Sequence, residues 1–75
     1  MVERLIIDFG LHRFAEALFT PTGDYLFCIF KDKEQTATFQ PTDFTFEVGE
    51  PLKLFYNSAL IYSSDVPVLS TFRLL

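Results

Sequence analysis

The chain has 75 residues, 49% of them apolar, and carries a net charge of −4 from six basic and ten acidic side chains. Its one cysteine excludes an internal disulfide, and one cysteine with one histidine is too small a ligand set for a usual zinc site. Six cations against ten acids argue against bulk nucleic-acid binding, which rests on Lys and Arg neutralising phosphates.

The first element in chain order is a strand. Leu5, Ile7 and Phe9 fall on one face of it, with Arg4 and Asp8 opposite, the alternation of a half-buried strand. The next stretch supports two readings. Leu11, Phe14, Ala15 and Leu18 are spaced i, i+3, i+4, i+7, which fits a helix at about 11–19. The preferred reading is a strand from Arg13 to Thr20, paired with Tyr25 to Phe30 across a turn at Pro21–Gly23. Tyr25 to Phe30 is apolar on both parities, as in a strand buried on both faces. Ala37 and Phe39 alternate with Thr36 and Thr38; Phe44, Phe46 and Val48 alternate with Thr45 and Glu47. Gly49-Glu50-Pro51 is a tight reversal, after which Leu52, Leu54 and Tyr56 line one face. Val66, Val68, Phe72 and Leu74 share parity in the last segment.

Turn signals at intervals of about 8–12 residues suit an all-β fold. The expected architecture is a small barrel or sandwich of five to seven short antiparallel strands, in one compact domain spanning 1–75. The alternative is an α+β domain with the 11–19 helix packed on the sheet. The longest run free of Asp, Glu, Lys and Arg is Leu54 to Ser64, well short of the roughly 20 apolar residues of a membrane helix. With no signal-peptide core near Glu3 and Arg4, and a lone free thiol, a cytoplasmic location is expected.

No motif carries chemistry. His12 lacks a nucleophile partner, and Cys28 lies between Phe27 and Ile29, where burial blunts a thiol. Asp8-Phe9-Gly10 spells the kinase magnesium tripeptide without the glycine-rich loop or lysine that give it meaning. Asp43, Glu47 and Glu50 read as solvated turn carboxylates, and Ser63-Ser64-Asp65 as a polar loop or cap. The protein is therefore expected to be non-enzymatic, with no cofactor and no metal.

The residues that break the alternation say more. Ile6, Phe55 and Leu69 lie opposite the main apolar set of their segments, so a second apolar surface exists behind the sheet. Small domains often rely on a disulfide, a metal or a partner, and only the last remains open to this chain. The expected function is a protein–protein interaction module, self-associating or acting as a small accessory or inhibitory subunit. Its partner-binding candidates are Phe55, Tyr62 and Leu69, aromatic and apolar anchors of the kind that dominate interfaces. A homo-oligomer or another protein is the expected partner, rather than a nucleic acid or a membrane. The alternatives are a small β-barrel stacking single-stranded nucleic acid on Tyr25, Phe55, Tyr56, Tyr62 and Phe72, or a small ligand-binding barrel. Of the ten phenylalanines, Phe9, Phe39, Phe44, Phe46 and Phe72 fit one inward face, Phe27 and Phe30 opposite faces, and Phe55 neither.

Overall fold

The computed structural model describes residues 3–74, and among these every regular element is a strand. The strands are β1 (Glu3–Gly10), β2 (Arg13–Phe19), β3 (Tyr25–Lys31), β4 (Glu34–Phe39), β5 (Asp43–Thr45), β6 (Pro51–Tyr56), β7 (Ala59–Pro67) and β8 (Ser70–Leu74). They form a five-stranded sheet ordered β4-β3-β2-β1-β8 and a three-stranded sheet ordered β5-β6-β7, both antiparallel. The two sheets face each other as a sandwich.

The all-β expectation holds, and the preferred hairpin holds with it: β2 pairs with β3 from Arg13↔Lys31 to Phe19↔Tyr25. The 11–19 helix does not form. Leu11 and His12 instead make a tight reversal between β1 and β2, both with positive φ, 55° and 61°. Two-residue hairpin loops need this left-handed backbone because it matches the twist of the flanking strands. A helix through Leu11 would forgo both ladders of β2, and the helical spacing yields to them. Gly10 precedes the loop at φ 74° and takes up the bulge between Asp8 and Gly10.

Eight strands exceed the expected five to seven because the last apolar segment is two elements. The chain pairs Pro67 with Pro51 in the small sheet, then crosses at Val68–Leu69 and pairs Ser70 with Asp8 in the large one. The crossing reverses the sense of parity. Val68 is buried, whereas Phe72 points out of the sandwich and is 51% exposed, contrary to its expected inward place. Val48 and Tyr56, also expected inward, are exposed: Val48 lies between β5 and β6, and Tyr56 ends β6 at the turn into β7.

The core lies between the sheets. Ile7, Phe9, Ala15, Ala17, Phe27 and Ile29 come from the large sheet and Leu52, Leu54 and Val68 from the other side. Phe44 is the hub, with ring centroids 5.0 Å from Phe27, 5.1 Å from Tyr25, 5.9 Å from Phe46 and 6.0 Å from Phe19. Ala15 and Ala17 are both fully buried, and their small size leaves room in the centre of the large sheet for these rings. Ser64 is the one buried polar side chain among the described residues. It accepts the Leu52 N–H at 2.9 Å and donates to the Val66 carbonyl at 2.7 Å, bridging the bulge where β6 and β7 lose register.

Candidate functional site

The unusual surface is the outward side of the five-stranded sheet. Strand registry places its side chains in three rows across the strands. One row reads Leu74, Arg4, Leu18 and Leu26. The next reads Phe72, Ile6, Glu16, Cys28 and Thr38. The third reads Ser70, Asp8, Phe14, Phe30 and Gln35. Eight of these fourteen positions are apolar, on a face that no element of the described chain covers.

The face is ordered within itself. Phe14 and Phe30, directly opposite on β2 and β3, stack with centroids 4.6 Å apart and planes within 5°. Ile6 retains 8% exposure and Cys28 9%, both in the middle row between the other two. The rims keep more: Phe14, Leu18, Leu26, Phe30 and Leu74 are half-buried and Phe72 is exposed. Three charges break the apolar rows. Arg4 and Glu16 form an ion pair at 3.6 Å, and Asp8 accepts the Gly10 N–H at 2.8 Å. A shallow hollow of about 360 Å³ lies among Ile6, Asp8, Phe14 and Phe72.

The three sequence candidates are not brought together. Tyr62 points inward, half-buried, with its ring 5.1 Å from Phe39 against the core. Phe55 is half-buried on the outward side of the small sheet, between Asp43 and the exposed Leu60. Leu69 is exposed at the crossover, with a methyl 3.4 Å from the position a Cβ on Gly10 would take. Tyr25, one of the rings considered for base stacking, packs into the core cluster with Tyr62. The outer-face residues Phe14, Leu18, Leu26, Phe30 and Phe72 escaped the sequence reading as a set. Ile6 and the two-faced run Tyr25 to Phe30 were the signals that pointed to them.

At the rim between sheets, Arg13 of β2 pairs with Asp65 of β7 at 2.5 Å. The Arg13 hydrogen bond holds the Asp65 carboxyl below its ordinary range, and the same bond raises Arg13. Burial pushes the nearby Tyr62 phenol up. The Arg13 and Asp65 shifts belong to the tie between β2 and β7. Among the described residues no three His, Cys, Asp or Glu side chains come together as a metal site, and no helix is long and apolar enough to cross a membrane. Cys28 is buried on the outer face and His12 sits exposed in the β1–β2 loop, far apart in the registry. No protein-family model, curated protein or solved structure matches this chain.

Proposed function

We propose that the protein is a non-enzymatic interaction module that docks another protein surface onto the outward face of its five-stranded sheet. One observation carries the reading: that face holds eight apolar side chains, among them the Phe14–Phe30 stack and the half-exposed Phe72, and nothing in the described chain covers it. The largest contiguous apolar patch on a monomer is typically about 300–600 Å² and is often functional. Five strands spaced about 4.8 Å apart and about six residues long give the whole face a footprint on the order of 450–500 Å², of which the apolar rows take a little over half. Burying a Phe or Leu contributes roughly 1.5–3 kcal/mol, so covering a few of them matters against a total stability of about 5–15 kcal/mol.

The test compares two faces in one experiment. The tagged chain is sized by gel filtration, purified and in an extract of its native host. Wild type and Phe55→Asp, altered on the small sheet, are expected to elute in a larger complex in at least one setting. The double variant Phe14→Asp/Phe72→Asp is expected to elute as the free chain in both while keeping its circular-dichroism spectrum. A wild type that runs as a free monomer in both settings would overturn the reading, as would a folded double variant that keeps the complex.

A further inference from the structure

Three charged side chains stand on the outward face of the large sheet: Arg4, Asp8 and Glu16. Two of them answer each other, Arg4 reaching Glu16 on the next strand at 3.6 Å. Asp8 has no such partner. One of its oxygens accepts the Gly10 N–H at 2.8 Å, and among the described residues no Lys, Arg or His forms an ion pair with it. His12, Arg13 and Lys33 line a neighbouring hollow with Asp8 and Phe14, but Arg13 is held by Asp65, and Asp32 shares that hollow. On its other side Asp8 borders the hollow it shares with Ile6, Phe14 and Phe72. Phe14 stands directly opposite Asp8 on β2, and Phe72 opposite Ile6 on β8. The face thus carries one uncompensated negative charge, set beside aromatic rings.

We propose that the partner docked on this face is a different protein that presents an arginine among apolar side chains, with the guanidinium seated in the hollow at Asp8. This rests on the docking-face reading above and names the chemistry of its partner. Covering the face takes Asp8 out of water. A carboxylate buried with one hydrogen bond and no countercharge is strongly disfavoured, so the covering surface must bring a cation to that spot. Arginine suits the surroundings better than lysine. Its planar fork bonds a carboxylate through two N–H groups while its flat side rests on an aromatic ring, and it is more weakly hydrated than an ammonium. A second copy docked face to face does not supply the cation. The one cation on its own outer face is Arg4, and carrying Arg4 to Asp8 would strip Glu16 of its partner and merely move the unpaired carboxylate. The net charge of −4 adds attraction for a basic partner during approach.

A minimal probe isolates the contact. The blocked peptide acetyl-Leu-Ala-Arg-Ala-Leu-amide, and its counterpart with neutral, near-isosteric citrulline for arginine, are each titrated into the purified chain at low salt and followed by amide NMR. The arginine peptide is expected to shift the resonances of Asp8, Gly10, Phe14 and Phe72 and to bind at least about fivefold tighter than the citrulline peptide. Asp8→Asn, which keeps an oxygen for the Gly10 N–H, should remove that preference. An arginine peptide that binds no better than the citrulline one, or that binds elsewhere on the chain, would overturn the proposal, as would a preference that survives in folded Asp8→Asn. The host-extract complex supplies a second arm, read by gel filtration of the tagged chain. Asp8→Arg sets like charges against each other and should release the complex as Phe14→Asp/Phe72→Asp does. The two readings fail differently. If the ring variant abolishes the complex while folded Asp8→Arg leaves it intact, the docking face stands and the arginine is excluded. If the purified wild type already forms the complex by itself through Phe14 and Phe72, a second copy occupies the face and the proposal falls. If the ring variants change nothing in either setting, both readings fall.

Discussion

The two sheets of the sandwich share their inward chemistry and differ on their outward sides. Outside the small sheet, Asp43, Thr45, Lys53 and Ser63 face solvent beside the apolar Phe55 and Leu60, and Tyr56 and Ile61 of β6 and β7 are exposed as well. That is the usual division of an antiparallel sheet, with one face packed and one solvated. Outside the large sheet the division fails: β1, β2 and β3 present apolar side chains on both sides, and β8 turns its apolar Phe72 and Leu74 outward. The outward side of the large sheet thus holds eight apolar side chains in adjoining rows, most of them half-buried, whereas the exposed Leu11, Val48, Tyr56, Leu60, Ile61 and Leu69 lie in loops, at the crossover and on β6 and β7. The phenylalanines divide the same way. Phe9, Phe19, Phe27, Phe39, Phe44 and Phe46 belong to the inward cluster, Phe14, Phe30 and Phe72 to the outer face of the large sheet, and Phe55 to that of the small one.

The largest effect should come from the inward side and show what the outer face is not. Phe27 is fully buried, with its ring 5.0 Å from Phe44. Phe27→Ala should cost about 3–5 kcal/mol, as core Phe truncations do. Chemical denaturation should find that cost unchanged by protein concentration when both chains are compared at low, monomeric concentrations. An outer-face ring should behave otherwise, since a group buried only on association stabilises by mass action. If Phe27→Ala costs less than about 1 kcal/mol, the region between the sheets is not the core of this chain.

Inside the small sheet the next effect is polar. Ser64→Ala would leave the Leu52 N–H buried without its acceptor and the Val66 carbonyl without its donor, at a site where Ser64 is 5% exposed. Leaving a buried donor unsatisfied costs about 1–3 kcal/mol. Urea denaturation should show that loss, while association through the opposite sheet stays as in wild type. A neutral Ser64→Ala would mean that β6 and β7 re-register without the hydroxyl bridge.

What the sequence reveals follows from which physics is local. Alternation at Leu5, Ile7 and Phe9, and at Leu52 and Leu54, reads directly because period two is a property of a single strand. The Thr20–Asp24 turn reads directly because Pro21 and Gly23 suit it; the Thr20 carbonyl accepts the Gly23 N–H at 3.0 Å. The Leu11–His12 reversal is concealed, because such loops are normally signalled by Asn-Gly or Asp-Gly and these residues carry no such mark. Phe72 was misassigned for a non-local reason. Its parity with Val68 is real, but the chain changes sheets between them. The existence of a second apolar surface was legible in Ile6 and in Tyr25 to Phe30. Its membership was not, since which residues share a face depends on strand order, and Phe55, Tyr62 and Leu69 stand on three different parts of the fold.

The smallest expected effect lies at the seam where the two sheets meet. Arg13 and Asp65 tie β2 to β7 across the rim, with 26% and 73% of their side chains accessible. Surface ion pairs contribute little because water screens them and two long side chains must be ordered. Their signature is in the pH dependence. The Arg13 hydrogen bond holds Asp65 below its ordinary range in the folded chain. The unfolded chain then binds a proton at a higher pH than the folded one. The tie's contribution is therefore complete above the ordinary aspartate range of about 4 and is lost as pH falls through the lowered folded value. Between pH 7 and 5 the melting temperatures of wild type and Asp65→Asn should run parallel, with the variant slightly lower. Below about pH 4 the two curves should converge, because wild type is losing what the variant never had. Curves that stay parallel into acid would show that Asp65 draws no stability from Arg13. The sheets would then be joined by their apolar interior alone, and the outward faces would differ without any help from the rim.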